Sequence, residues 1–316
     1  MNNVIRIGTR ESQLAVWQAT LVQQLLANNN FKSELVFIKS EGDIDLQTPL
    51  YEMGVQGIFT KSLDIALLTN KIDIAVHSMK DVPTQMARGI VQAAVLKRAS
   101  YKDTFVFKDS ATLDSWKLTN KDAAICIADA GIIATSSIRR KAQWLNRYPN
   151  HVIENLRGNI NTRLKKVQEN NWNGAIFAAA GLERINLKPT NAVDLDWMLP
   201  APAQGAIMVV CREDDSESMV ACKPFNDVET ALCTKIERDF LSALMGGCST
   251  PISALAQVKN GAVYFTGNIL SIDGKQKIEV EKTLPINEAV HLGDIAATEI
   301  LSMGADKITA AIEHAK

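Results

Sequence analysis

Short apolar runs alternate with amphipathic segments in the first third of the chain. Residues 4–8, 35–38 and 73–76 are mostly apolar and rich in β-branched side chains, which predicts three buried strands. Apolar residues at helical spacing separate these runs, over residues 14–25 and again over residues 59–68. This β-α-β-α-β order predicts a mostly parallel sheet with helices on its faces.

The same order of patterns returns in the middle of the chain. The run 131–134 predicts a strand that enters a hydroxyl-rich turn and a helix, and residues 152–153 predict the next strand. A further helical pattern carries Arg163, and the buried run 174–178 ends in a small-residue turn. Two similar α/β halves that face each other would form a cleft, as in binding proteins that close on a ligand.

The last third of the chain departs from this order. Residues 199–205 hold two prolines among small residues, which predicts a rigid crossing segment, and the run 206–210 predicts a strand that returns to the first sheet. From about residue 225 the pattern predicts a small α+β unit. Its elements are a helix, two hairpin strands and a last helix, at 227–243, 263–272, 277–284 and 288–301.

The predicted fold class is therefore α/β, with two similar doubly wound domains like those of periplasmic binding proteins and a small α+β C-terminal domain. The first domain covers residues 1–99 together with about 205–222, the second covers 100–204, and the third covers 223–316. A chain of 316 residues is long enough for three domains.

Composition and charge are those of an ordinary globular protein. Hydrophobic residues make up 47% and charged residues 22% of the chain, and the net charge is −1. So small a net charge gives no overall field toward nucleic acid or a membrane surface, and neither is expected as a partner. The N-terminus shows no apolar signal segment and no apolar run reaches the length of a membrane span, which favours a cytoplasmic protein.

The candidate chemistry begins where the third predicted strand ends. Lys80 and Asp81 follow the apolar run 73–76, and Pro83 stops the segment. Because ligands of α/β sheets bind beyond the carboxyl ends of the strands, Lys80 and Asp81 are expected at the edge of the cleft. The alternative interpretation is a solvated loop without a function.

Basic residues occur at the same kind of position. Arg10 and Ser12 follow the first strand, where a small polar loop leads into a helix N-terminus that attracts anions. The alternative for this loop is a plain helix cap by Thr9 or Ser12. Arginines that lie just past strand ends or on first helical turns are Arg10, Arg139, Arg140, Arg157, Arg163 and Arg184.

The shared placement of these arginines predicts an anionic ligand with several carboxylates or phosphates, since a guanidinium binds either group in a bidentate way. The chain has neither of the standard glycine-rich phosphate loops, which favours carboxylates over nucleotides. Taken singly, each arginine is more simply interpreted as a surface or salt-bridging residue.

Cysteines and histidines give no metal signature. The five cysteines form no CxxC pair and the four histidines are scattered, so no metal site is expected. Small buried apolar residues are the simplest interpretation of Cys126, Cys211, Cys222 and Cys233.

Cys248 follows two glycines and precedes Pro251, which predicts an accessible thiol on a loop. It has no neighbouring His or Asn to form a catalytic dyad, so a thiol that anchors a group is favoured over one that turns over acyl groups.

Taken together, these segments resemble the porphobilinogen deaminase (hydroxymethylbilane synthase) family over nearly the whole chain. The matching pieces, in order, are Arg10 with Ser12, residues 75–83, residues 135–140, residues 156–159 with Thr162 and Arg163, residues 180–182 with Arg184, residues 204–206, and residues 246–248 with Pro251. Each piece alone is weakly specific, whereas their order and spacing together are specific.

The resemblance implies the chemistry of that family. Its members join four porphobilinogen units head to tail with release of ammonia, on a dipyrromethane cofactor held by a thioether to a cysteine, and then release hydroxymethylbilane by hydrolysis. By resemblance, Cys248 is the attachment site and Asp81 is the catalytic carboxylate. The resemblance assigns cofactor or substrate binding to Arg10, Ser12, Lys80, Ser137, Arg139, Arg140, Arg157, Arg163, Arg184 and Gln204.

The chain departs from the common pattern of the family in places. Glu52 and Gln56 stand in a glycine loop where basic residues are common, and Met245 stands where a charged residue is common. A stretch around 120–130 looks inserted. Because of these departures, one alternative interpretation is a family member that binds pyrroles without joining them. The other alternative is a non-catalytic bilobal anion-binding protein, which leaves Cys248 without a role. A monomer is expected, because the sequence shows no coiled coil.

Overall fold

The computed structural model describes residues 4–40, 60–112, 131–244 and 250–314. A first α/β unit opens the chain. Its elements are β1 (Ile5–Thr9), α1 (Gln13–Asn28), β2 (Ser33–Phe37), α2 (Lys61–Leu68), β3 (Ile74–Ser78) and β4 (Ile90–Val95). A single 3₁₀ turn, Met79–Asp81, follows β3 directly.

A second α/β unit follows. Its elements are β5 (Asp103–Phe107), β6 (Ile132–Ala134), α3 (Ile138–Arg147), β7 (Val152–Glu154), α4 (Ile160–Glu169), β8 (Gly174–Ala178), α5 (Ala179–Arg184) and β9 (Ala192–Asp194). The strands form one sheet in the order β7-β6-β8-β5-β9. β6 runs parallel to β7 and β8, whereas β5 runs antiparallel to β8 and β9.

The chain then re-enters the first sheet. β10 (Ile207–Arg212) lies between β3 and β4 and runs antiparallel to both, so the strand order is β2-β1-β3-β10-β4. Helix α6 (Ser216–Cys222) follows and packs against β4 and β10. The first sheet is thus mostly parallel at β1, β2 and β3 and antiparallel where the returning strand enters.

Side chains of β3 alternate between two cores. Ile74 and Val76 pack in the cluster that holds Leu26 of α1, whereas Ala75 packs with Leu63 of α2. Because successive residues of a strand point to opposite faces, a strand covered by helices on both sides needs a continuous apolar run. Residues 74–76 have that character. The polar residues that follow begin where the helices no longer cover the strand.

The C-terminal unit is smaller. Its elements are α7 (Val228–Ala243), β11 (Ile252–Lys259), β12 (Ala262–Leu270), β13 (Lys277–Pro285), α8 (Leu292–Ile300) and α9 (Asp306–His314). The strands form an antiparallel sheet in chain order, and one hydrophobic core joins it to α7 and α8. Asp227 begins α7, since its carboxylate accepts a hydrogen bond from the Thr230 amide at 2.8 Å.

The predicted fold class is confirmed, with some corrections to its elements. The sequence predicts a two-stranded hairpin in the C-terminal unit, but β11 precedes the hairpin as a third strand. Its small residues just after Pro251 give only a weak strand signal. The last helix, predicted over 288–301, begins later and is followed by a π-helical turn and α9, with Gly304 at a φ of 96° marking the break. The apolar pattern also did not predict β4, β5 and β9.

No helix in the described ranges is both long and apolar enough to cross a membrane.

Candidate active site

A cavity of about 650 Å³ is lined by residues of both α/β units. Its walls come from the carboxyl ends of β1 and β3 on one side and from the loops after β6 and β7 on the other. The site residues predicted from the sequence that line it are Arg10, Ser12, Lys80, Asp81, Ser137, Arg139, Arg140, Arg157, Arg163, Arg184 and Gln204. The structure therefore brings all of these together, and only Cys248 lies outside the described residues.

The turn after β3 presents Lys80 and Asp81 to this cavity. Met79 is 1% exposed and anchors the turn in the core between the sheet and α2. Its amide donates to the Ala206 carbonyl at 3.0 Å, and the Val82 amide closes the turn on the Met79 carbonyl at 3.1 Å. A buried Met followed by two polar residues thus fixes which side chains face the cleft.

Lys80 is a partly buried cation with one described polar partner. Its Nζ donates to Gln204 Oε1 at 3.1 Å. Burial lowers the pKa of Lys80 to about 8, and the nearby guanidiniums of Arg140 and Arg139 act in the same direction, against Asp81 and Asp103. An ammonium with a lowered pKa beside other cations favours an additional anion in the cavity.

Gln204 connects that lysine to the second unit. Its Nε2 donates to Asp103 Oδ1 at 2.7 Å and to the Tyr101 carbonyl at 2.8 Å, and the residue is 1% exposed. Arg140 donates to the same Asp103 oxygen at 2.7 Å and to the Ile176 carbonyl at 3.0 Å. Arg140 therefore faces the cavity with its charge already balanced by Asp103, as the salt-bridging interpretation of a single arginine predicted.

Two other arginines are held by backbone carbonyls. Arg163 Nε donates to the Gly158 carbonyl at 2.7 Å, and Arg184 Nη2 donates to the Gly205 carbonyl at 2.7 Å. Burial lowers the pKa of each to about 10, and for Arg163 the like charges of Arg140 and Arg157 add to this effect. The Arg184 guanidinium also lies over the Trp17 ring, 5.8 Å from its centroid.

Several helices begin at the cavity. The N-cap residues Ser12 of α1, Ser137 of α3 and Asn159 of α4 all line it. Ser12 caps α1 by accepting a hydrogen bond from the Ala15 amide at 3.4 Å. Ser12 is therefore both the predicted helix cap and a residue that lines the cavity. Ser137 makes no such side-chain cap bond, which leaves its hydroxyl able to bind a ligand. Helix N-termini stabilise anions by about 0.3–1 kcal/mol each at an exposed site.

Polar residues that the sequence reasoning missed also line the cavity. Gln18 of α1, 2% exposed, donates from Nε2 to Ser78 Oγ at 2.9 Å. Its signal in the sequence was a polar residue four positions after Leu14, on the apolar face of the helix. His77 is 6% exposed, and burial, with a smaller effect from Arg10, lowers its pKa to about 4. It is therefore a neutral imidazole at neutral pH.

Positive charge exceeds negative charge among the described lining residues. The cations are Arg10, Lys39, Lys80, Arg139, Arg140, Arg157, Arg163 and Arg184, and the carboxylates are Glu11, Asp81 and Asp103. Asp103 is already paired with Arg140. The remaining excess suits a ligand that carries several carboxylates, which is the charge that a chain of acetate- and propionate-bearing pyrroles would bring.

The cysteines within the described residues are buried, as predicted. Cys211, Cys222 and Cys233 are buried, and burial raises their thiol pKa values to about 11, 12 and 11. Cys126, Cys248, Met245, Glu52 and Gln56 lie outside the described residues. Downstream of Cys248, the Ala254 amide donates to the Pro200 carbonyl at 3.2 Å, and the neighbours of Pro200 line the cavity.

Comparison with known families gives two matches along this chain. Residues 5–220 match the model of porphobilinogen deaminase, dipyromethane cofactor binding domain, and residues 231–302 match that of porphobilinogen deaminase, C-terminal domain. A curated relative from Desulforamulus reducens, named porphobilinogen deaminase, is 38% identical over 312 residues, which is 98% of this chain and 97% of the relative.

Solved structures with a similar fold include proteins with very different sequences. The methionine binding protein MetQ is 14% identical, with a TM-score of 0.44 over 73% of this chain and 93% of its own. The VFT2 domain of BvgS from Bordetella pertussis is 12% identical, with a TM-score of 0.39 over 72% of this chain and 90% of its own.

Proposed function

The chain belongs to the porphobilinogen deaminase family, and we propose that its cleft joins porphobilinogen units with Asp81 as the catalytic carboxylate and Cys248 as the cofactor anchor. The protein is a transferase with hydroxymethylbilane synthase activity, and its cofactor is dipyrromethane. The non-catalytic bilobal binding protein is not favoured, because the curated relative that covers nearly the whole chain is named as the enzyme.

The observation that carries the proposal is the position of Asp81 among many cations, in a cavity where the described carboxylate of Asp103 is already paired with Arg140. Each pyrrole unit brings an acetate and a propionate, so the growing chain is a polyanion. Arg10, Arg139 and Arg157 are expected to hold these carboxylates, with Ser12 and Ser137 as hydroxyl donors at helix N-termini. Lys80 is also suited to a substrate carboxylate, because an anion would offset the charge of the arginines around it.

Asp81 has the opposite charge and therefore a different task. Loss of ammonia from porphobilinogen leaves positive charge on the incoming pyrrole unit. A carboxylate beside such a charge stabilises it as it forms and can accept or return a proton at the pyrrole N–H. Asp81 also acts favourably on the charge of Lys80, its neighbour in the turn.

When bound, the dipyrromethane supplies the pyrrole carbon to which the first substrate unit is joined. We expect Cys248 to hold it by a thioether, and Ser137, Arg139 and Arg157 to hold its carboxylates at the start of α3 and before α4. Contacts such as that of Ala254 with Pro200 support this assignment, because they keep the chain beyond Cys248 beside the wall of the cavity. A monomer in the cytoplasm remains our prediction for the assembly and its location.

Mass spectrometry of the intact protein tests the proposal. The purified protein should be heavier than its sequence by one dipyrromethane, acidic dimethylaminobenzaldehyde should colour it, and Cys248→Ser should lack both signals. Asp81→Asn should fold and keep the added mass when it is loaded with preformed cofactor, yet lose turnover of porphobilinogen by about 100-fold or more. An unmodified mass after incubation with porphobilinogen would refute the cofactor assignment, and near-normal turnover of Asp81→Asn would refute the catalytic one.

A further inference from the structure

Arg238 lies outside the cavity, on α7 of the C-terminal unit, but it contacts the turn that presents Lys80 and Asp81. Its Nη1 donates to the Val82 carbonyl at 2.8 Å and reaches the Met79 carbonyl at 3.5 Å. Its Nη2 donates to the Pro83 carbonyl at 2.6 Å and reaches the Thr84 carbonyl at 3.4 Å. One guanidinium thus contacts backbone carbonyls at the start of the turn and just after it.

The turn depends on this contact because its own hydrogen bonds are few. Within the described residues, the Val82 amide bond to Met79 closes it, and the Met79 amide ties it to Ala206. Pro83 has no amide hydrogen to donate. The carbonyls of Val82 and Pro83 have no backbone donor in the described chain, so Arg238 is the group that satisfies them.

The charge of Arg238 is directed at these carbonyls and not at a carboxylate. The described salt bridges do not include it, whereas its neighbour Glu237 is paired with Arg98 at 2.5 Å. Burial lowers the pKa of Arg238, opposed by Asp239, but an arginine remains charged at neutral pH. Hydrogen bonds from a charged donor are stronger than those between neutral groups, so these bonds favour one geometry of a short turn.

Helix α7 gives Arg238 a rigid support. Glu237, the preceding residue, is fully buried and accepts hydrogen bonds from the Ala203 amide at 2.6 Å and the Ala256 amide at 2.8 Å. These bonds tie α7 to the crossing segment and to β11. The position of Arg238 is therefore set by the docking of the C-terminal unit against the rest of the protein.

We infer that Arg238 is a positioning residue that acts through the turn 79–84: it fixes the backbone that carries Asp81 and Lys80, and so makes catalysis depend on docking of the C-terminal unit. The inference rests on the proposed role of Asp81. Misplacement of a catalytic group by about 1 Å can lower a rate about 100-fold, so a loosened turn should act on the chemical step. The arginines that line the cavity lie outside this turn and keep their positions, whereas Lys80 would move with the turn.

The test uses holoenzyme whose added dipyrromethane mass has been verified. Arg238→Met should lower kcat about tenfold or more, whereas KM for porphobilinogen should rise by a smaller factor, because Lys80 moves with the turn and the cavity arginines do not. Arg238→Lys should recover part of kcat. The matched control is Arg212→Met. Arg212 donates to the Ile72 carbonyl at 2.7 Å within the first α/β unit, which also holds the turn with Asp81, but it lies away from the cavity. This control variant should lose stability and keep kcat. A kcat for Arg238→Met within twofold of wild type, or an equal loss in the control, would overturn the inference.

Hydrogen exchange separates this inference from the proposed function. In Arg238→Lys, and in Arg238→Met if it folds, amides of the peptide 79–86 should exchange about tenfold faster than in the wild type, whereas Arg212→Met should leave them unchanged. Unchanged exchange in that peptide overturns the inference even if the enzyme is inactive. An active wild type with an unaffected Arg238→Met refutes the role of Arg238 alone, while a wild type without turnover refutes the proposed function.

Discussion

Lys80 and Gln204 join the two α/β units across the cleft, with the lysine Nζ 3.1 Å from the glutamine Oε1. The other end of the same amide donates to Asp103 at 2.7 Å, at the start of the second sheet. Only a side chain with both an acceptor and a donor can satisfy an ammonium on one side and a carboxylate on the other. Gln204 was predicted to bind cofactor or substrate, but its described partners belong to the protein itself.

Replacement of Gln204 tests this bridge. Gln204→Met keeps the volume but leaves Lys80 and the Tyr101 carbonyl without this partner, so it should lower the free energy of unfolding by about 1–3 kcal/mol and reduce turnover. Urea unfolding followed by circular dichroism measures the first effect. The matched control is Gln168→Met, whose exposed amide donates to the Lys108 carbonyl at 2.9 Å and whose loss should change stability by less than about 0.5 kcal/mol. Equal stability of the two variants would contradict the bridge.

The pH dependence of activity should report on Lys80. Its pKa is lowered to about 8, so the ammonium loses its proton as the pH rises through that value, and with it the attraction for substrate carboxylates. We expect kcat/KM for porphobilinogen to fall on the alkaline side with an apparent pKa of about 8, because this ratio reports the enzyme before substrate binds. Lys80→Arg stays charged throughout and should lack this alkaline fall. The same alkaline fall in Lys80→Arg would assign it to another group.

Much of the site follows from the sequence because strand ends and helix starts are local features. Arg10, Lys80, Asp81, Ser137 and Arg157 follow apolar runs, and parallel strands bring their carboxyl ends to one edge. Many of the cavity-lining residues could therefore be predicted without knowing which residue contacts which. The family resemblance added the catalytic role of Asp81 and the identity of the group that Cys248 is expected to hold, which no local pattern could supply.

The partners within the site could not be predicted, because they depend on how distant segments meet. Gln204 lies 124 positions from Lys80, and Arg140 lies 37 positions from Asp103. Their contacts are set by the crossing segment and by the antiparallel entry of β10, not by hydrophobic periodicity. The same reason hid Arg238, which in the sequence is one of several charged residues on an amphipathic helix.

The pair Arg98–Glu237 should be among the most stabilising contacts between the C-terminal unit and the rest. Glu237 is fully buried, and it is 2.5 Å from Arg98 Nη1. Glu237→Gln keeps the shape but leaves a buried guanidinium uncompensated, so it should lower the free energy of unfolding by about 3–5 kcal/mol. Glu169→Gln breaks an exposed pair, since the side chains of Glu169 and Lys165 are 56% and 74% exposed. It should change the free energy of unfolding by at most about 0.5 kcal/mol. Similar urea midpoints for the two variants would contradict this prediction.

Stability at mildly acidic pH should depend on His77. Its pKa is lowered to about 4 in the folded protein, against 6.5 in the unfolded chain, so the unfolded chain binds more protons between these values. The contribution of His77 to stability is therefore present above pH 6.5 and is lost as the pH falls toward 4. Between pH 7 and pH 5 the wild type should lose about 2 kcal/mol relative to His77→Gln, measured by urea unfolding at each pH. His291→Gln, at a side chain that is 74% exposed, is the control and should show no such difference. Parallel pH profiles of the wild type and His77→Gln would mean that the imidazole is solvated, and hence that this wall of the cleft is open to water.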